Sequence, residues 1–321
     1  MQFKAIWADN SPASKFLLAI GILIVGAFAF SMVAFGLASL FYGIDPQQLQ
    51  ELMNDLDNPV TISILKMIQT VSEIGTFILP ALFLAYTFSS SASNYLHLDK
   101  KARPDSVFLV FILLIAAVPL INFLGELNSH MQLPSWMEGV EQQMKSTEEQ
   151  AAKLTEKFLV IQTPWQFIYA MIMIAVLPAL GEELLFRGIL QRIFSEWSGG
   201  KHTGIWATAI LFSAMHMQFY GFIPRLLLGV MLGYLFLWSG SLWLPILAHF
   251  INNGAAVIAS YMYKHDTLSV NPDTIGTEND FTAVLVSAVL TAGLLWMVWR
   301  REGRKPADPP NDGSDYADSI V

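Results

Sequence analysis

Residues 16–42 read FLLAIGILIVGAFAFSMVAFGLASLFY, a run without a single charged side chain. A hydrocarbon core of about 30 Å is crossed by roughly 20 apolar residues in a helix, so this block predicts a membrane span. It is too long for the apolar region of a signal peptide and offers no clear small-x-small cleavage site. It is therefore expected to remain as a first helix. Similar blocks recur at about 60–88, 106–124, 164–185, 204–219, 222–238, 241–262 and 281–299. Together they predict an all-α, polytopic membrane helix bundle of about eight transmembrane helices. The third block is short and contains Pro119, and the fifth runs almost directly into the sixth.

Composition agrees with that reading. The 321 residues are 54% hydrophobic and 14% charged, where a soluble domain carries about a quarter charged residues. A net charge of −8 argues against nucleic acid as a partner. The chain has no cysteine, which removes disulfides and thiolate metal sites.

Lysine and arginine are unevenly divided between alternate connections. Lys4, Lys15, Lys100, Lys101 and Arg103 fall on one side together with Arg300 and Arg301, whereas the other side holds only Lys145, Lys153, Lys157 and Lys264 among its basic residues. By the positive-inside rule both termini are expected in the cytoplasm. Segments 43–59 and 125–163, both acid-rich, would then face outward. The stretch 136–158 reads either as a helical excursion beside the membrane or as a solvated connector. The tail after Arg301, rich in Pro, Asp and Gly, has the composition of a disordered segment. Three regions follow: 1–163 with the N-terminal spans and the outward polar segment, 164–262 as a catalytic core, and 263–321 with the last span and a cytoplasmic tail.

Ionisable side chains inside spans are expensive and mark functional sites, and the second half of the chain concentrates them. The fourth block ends Leu180-Gly181-Glu182-Glu183-Leu184-Leu185-Phe186-Arg187-Gly188. Glu183 and Arg187 stand four apart on one helix face and can pair. Glu182 points about 100° away and is free to face a cavity. In the fifth block Phe212 lies one turn before His216, so the ring can pack beneath the imidazole. In the seventh, His249 and Asn253 share a face, with Asn252 slightly round the helix. In the first three spans Lys66 is expected to snorkel, and Glu73, in mid-span, has no evident role.

Peptide hydrolysis needs an activated water and a site for the developing oxyanion. Glu182 and His216 could deprotonate a water held between them, with His249 and Asn253 as oxyanion donors. Alternatively Glu182, His216 and His249 could be three zinc ligands with a bound water as nucleophile, leaving Asn253 or Glu183 in support. The residues leave both chemistries open. No H-E-x-x-H, G-x-S-G or G-x-G-D motif is present.

At these residues the chain resembles the CPBP family of intramembrane peptidases, the CAAX-protease and bacteriocin-processing group also called Abi or type II CAAX prenyl endopeptidases. The family hallmarks E-E-x-x-x-R, F-x-x-x-H and H-x-x-x-N stand here as Glu182-Glu183 with Arg187, Phe212 with His216, and His249 with Asn253. Gly188, Gly229, Gly233 and the run 239–245 extend the likeness, which covers about 165–262. The resemblance implies an eight-span helical fold with a cytoplasm-facing cavity. It implies Glu182 and His216 as water activators and His249 with Asn253 as the oxyanion site. It also implies a membrane-associated peptide or protein as substrate and the lipid bilayer as surroundings. It favours a metal-independent glutamate peptidase over a zinc metalloprotease. Compact loops suit a bacterial chain, hence a multi-pass protein of the cell (inner) membrane. Two other readings of the same residues are a catalytically silent bacteriocin-immunity or binding protein of this fold and a proton-coupled transporter. The second is weakened because no pair of broken helices recurs in matching halves.

Overall fold

The computed structural model describes residues 4–52, 55–277 and 281–303, and among them there are helices and no strands. The longer helices are α1 (Pro12–Tyr42), α2 (Pro59–Phe88), α3 (Pro104–Ser129), α4 (Glu138–Phe158) and α5 (Pro164–Ser198). They are followed by α6 (Lys201–Met215), α7 (Phe222–Ser239), α8 (Trp243–Lys264) and α9 (Phe281–Glu302). The expected tail beyond Gly303 lies outside the described residues.

Local chemistry explains the boundaries. Ser11 caps α1 by accepting from the Ser14 N–H, with Pro12 in the first turn, and the helix stops where Gly43 turns left-handed at φ 64°. Asn58 caps α2 in the same way. Thr163 and Gln166 form a reciprocal capping box on α5, which satisfies two otherwise orphaned donors. The helix passes through Pro178, just after its first π-helical stretch, and stops only at Gly199, at φ 67°. α5 therefore runs well past the residue 185 at which its apolar block ends. In α3, Pro119 frees backbone groups that α9 recaptures: Ser287 Oγ donates to the Ala116 carbonyl at 2.5 Å and accepts from the Leu120 N–H at 3.2 Å. Such repair is what allows proline inside a membrane helix.

Six helical stretches, including Phe219–Ser239 with α7, are long and apolar enough to cross a membrane. α1 carries Leu17, Ile24, Phe28 and Leu40 exposed, a surface suited to lipid rather than water. The chain is a multi-pass helical membrane protein. The two remaining expected spans depart from that pattern. The one expected at 204–219 is the 15-residue helix Lys201–Met215, shorter than the roughly 20 residues a span needs. The one expected at 241–262 is a 22-residue helix, but His249, Asn252 and Asn253 dilute its apolar character.

α5 is the axis of the molecule. α1 and α2 pack on one side of it through Leu23, Leu84 and Phe88, and α6 and α7 on another through Phe212 and Phe236. Two π-helical stretches interrupt α5, at Met171–Val176 and Phe186–Leu190, and a third interrupts α2 at Ile74–Ile78. Such stretches are frequent at functional sites, and here two of them bracket Glu182 and Glu183 while the third begins directly after Glu73.

Candidate active site

Glu182 and Glu183 stand near the end of the α-helical stretch Leu177–Leu185 and point in different directions. Glu183 is fully buried. Its Oε1 accepts from Arg187 Nη1 at 2.6 Å and from His249 Nδ1 at 2.8 Å. Arg187 is equally buried, donates from Nη2 to the Gly229 carbonyl at 2.9 Å, and lies 4.8 Å over the Phe212 ring. A Cβ on Gly229 would come within 3.1 Å of Ala209, so glycine there lets α7 close on α6 while its carbonyl meets the guanidinium. One arginine thus ties α5, α6 and α7 together, and Glu183 ties α5 to α8.

Phe212 is the hub of the ring contacts. Its centroid lies 5.1 Å from Phe186, 5.0 Å from His216 and 6.1 Å from His249. His216 Nδ1 donates to the Phe212 carbonyl at 2.8 Å. Because a carbonyl can only accept, Nδ1 carries the hydrogen and Nε2 presents its lone pair. His249 is fixed from the opposite direction. Its Nδ1 is held by Glu183 and its Nε2 stands 3.9 Å from Glu182 Oε2.

Glu182 differs from its neighbour. Its Oε2, like that of Glu183, is buried without a hydrogen-bond partner, but its side chain is 13% exposed where that of Glu183 is 0%, and it makes neither of the bonds that hold Glu183. It makes no direct hydrogen bond with His216, so the two can cooperate only through a reactant placed between them. Asn253 Nδ2 donates to the Ile174 carbonyl in the first π-helical stretch of α5 at 3.1 Å, and Asn252 Nδ2 donates to Asn253 Oδ1 at 3.1 Å. Asn253 thereby docks α8 onto α5, leaving its second amide hydrogen uncommitted.

Among the described residues no three His, Asp or Glu side chains are placed to hold a metal ion together. Of the candidate set Glu182, His216 and His249, Glu182 Oε2 stands 3.9 Å from His249 Nε2, and His249 Nδ1 bonds Glu183.

Two further residues belong to this neighbourhood. Arg225, at the start of α7, bonds the Gln218 carbonyl at 3.3 Å and is close enough to Glu182 and to Glu148 of α4 to feel both charges. Glu148 Oε2 also accepts from the Tyr220 N–H at 2.9 Å. The polar segment around 136–158 is thus a helix that packs over the α6–α7 connection. Glu73 of α2, without an evident role in the sequence, is buried beside Gly181. Its position in mid-span was the only signal for it.

Residues 164–255, which contain all these residues except Glu73 and Glu148, match the family described as Type II CAAX prenyl endopeptidase Rce1-like. A curated relative, the "Uncharacterized protein YpbD" of Bacillus subtilis (strain 168), is 34% identical over 84 residues, 25% of this chain. The matched region spans 40% of the length of that relative. No solved structure matches the chain. The resemblance carried by the three motifs is supported over this segment.

Proposed function

We propose, from the premise that residues 164–255 are a type II CAAX prenyl endopeptidase Rce1-like segment, that the protein is an intramembrane endopeptidase acting on a membrane-associated peptide or protein. The observation that carries this reading is the asymmetry of the paired glutamates: Glu183, with no exposure, is bonded by Arg187 and His249, while Glu182 makes neither bond, is 13% exposed and stands 3.9 Å from His249 Nε2.

Glu182 takes a proton from water, helped by the lone pair of His216 Nε2, and the water oxygen attacks the scissile carbonyl carbon. Charge developing on the carbonyl oxygen is met by His249 Nε2–H. Glu183, bonded to the far nitrogen, fixes the ring so that Nε2 faces this oxygen. Asn253 offers its second amide hydrogen. The proton then passes from Glu182 to the amine nitrogen as the C–N bond breaks, so the cycle closes with no net proton change. We place the protein in the inner cell membrane with both termini cytoplasmic, as its lysine and arginine distribution favours.

In this scheme His249→Ala lowers kcat by roughly 2–4 kcal/mol of barrier, the size of a lost oxyanion donor. Kinetics on a cleavable reporter in liposomes test it, and a raised KM with unchanged kcat would move His249 to substrate recognition. We take the metal-free form of the mechanism, which the motif resemblance favours. Incubation with a chelator is expected to leave turnover intact. Loss of activity that added zinc restores would overturn it.

A further inference from the structure

Glu73 lies outside the matched segment, on a helix that carries none of the three motifs, yet it stands against the residue next to the proposed base. A Cβ built on Gly181 would come within 2.9 Å of Phe77 Cβ, 3.1 Å of Ile78 Cγ1 and 3.2 Å of Glu73 Oε1. Glycine at 181 is what lets α5 approach the π-helical turn of α2 closely enough to seat the Glu73 carboxyl there. The far side of that turn is closed by α1, where a Cβ on Gly75 would strike the Phe30 ring. Glu73 is 4% exposed, and its Oε1 has no hydrogen-bond partner. The partnerless oxygen of Glu182, Oε2, is also buried, and the two carboxylates are near enough to interact electrostatically.

Two buried carboxylates cannot both remain ionised side by side, because each is desolvated and each repels the other. The surrounding charges do not remove the conflict. On α5, Glu183 and Arg187 are bound to each other. Arg225 of α7 acts on Glu182, and His249 of α8 meets Glu182 at 3.9 Å. His216 of α6 faces Phe212. α1 has no titratable residue between Phe16 and Phe41, and on α2 itself the nearest is Lys66, two turns away.

Resting on the assignment of Glu182 as the base, we propose that Glu73 is a positioning residue that shares one proton with Glu182, donating a hydrogen bond to it through the gap left by Gly181. This arrangement satisfies the orphaned oxygens of both carboxyls. It also commits Glu182 Oε2 to the protein side, so that the other oxygen of Glu182 meets the water. The shared proton stays in place through the cycle: the proton taken from water arrives on the free oxygen of Glu182 and leaves from it to the amine.

The test uses the full chain in a detergent free of ester carbonyls. Glu73→Gln can still donate to Glu182 and is expected to keep kcat close to wild type. Glu73→Leu fills similar space without a donor and is expected to lose about tenfold to a hundredfold in kcat with little change in KM, the loss of one hydrogen bond to a charged group. Infrared spectra at neutral pH should contain a carboxylic-acid carbonyl band in the wild type that Glu73→Gln removes. Leucine performing as well as glutamine would overturn the proposal, because a space-filling role would give that result. Persistence of the band in Glu73→Gln would also overturn it, and this arm remains decisive if the leucine variant fails to fold. Wild-type turnover in Glu182→Gln would instead sink the assignment of Glu182. An inactive Glu182→Gln beside indifferent Glu73 variants would sink this inference alone.

Discussion

Glu182→Gln is expected to abolish peptide hydrolysis while leaving a folded, membrane-inserted protein. The substitution preserves shape and removes only the basic oxygen, and loss of a positioned general base costs about 10²–10⁴ in rate. The fold depends little on the Glu182 charge. Among the described residues its ion-pair contact is His249 Nε2 at 3.9 Å, in contrast to Glu183, which binds Arg187 and His249 at 2.6 and 2.8 Å. Thermal unfolding in detergent should therefore match wild type. Reporter cleavage in liposomes is the measurement, and turnover at the normal rate in the variant would remove Glu182 from the reaction. A proteomic comparison of cells carrying wild-type and Glu182→Gln protein would then identify the natural substrate by its accumulation.

The second large effect is structural. Arg187→Met should destabilise the protein by about 3–5 kcal/mol, the cost of leaving one member of a buried ion pair without its partner. The variant strands the Glu183 carboxylate in a site with no exposure, and it also removes the contact to the Gly229 carbonyl and the stack on Phe212. Pairing it with Glu183→Gln removes the stranded charge and should recover part of the loss, though not activity, since His249 would no longer be held by a carboxylate. Chemical unfolding in detergent measures the difference. A midpoint equal to wild type in the single variant would show that the pair is dispensable to the fold.

Much of this molecule can be read from local pattern. Apolar blocks of spanning length give the helices because the bilayer imposes length and hydrophobicity on each one separately. Spacing of four residues gives Glu183 with Arg187 and Phe212 with His216, because helix geometry alone brings those pairs together. What spacing cannot give is which helices meet. His249 bonds Glu183, and Asn253 bonds the Ile174 carbonyl; both contacts depend on how α8 lies along α5. Glu73 approaches Gly181, 108 positions further along the chain, and that approach rests on the Cβ that glycine lacks. The length of α6 was also hidden. Apolar residues continue past Met215, but the chain turns at Met217, which takes a left-handed φ of 53° with no glycine to signal it.

The three stretches of wider helical winding have a consequence for how this site is inherited. Each amounts to one surplus residue accommodated inside a continuous helix, and one residue corresponds to about 100° of rotation. Losing a single codon within Met171–Val176 or Ile74–Ile78 would leave an intact, equally apolar span while swinging every side chain beyond it toward a different neighbour. Deleting one residue there is therefore expected to disarm the site, whereas exchanging apolar residues on the lipid-facing side is expected to leave it intact.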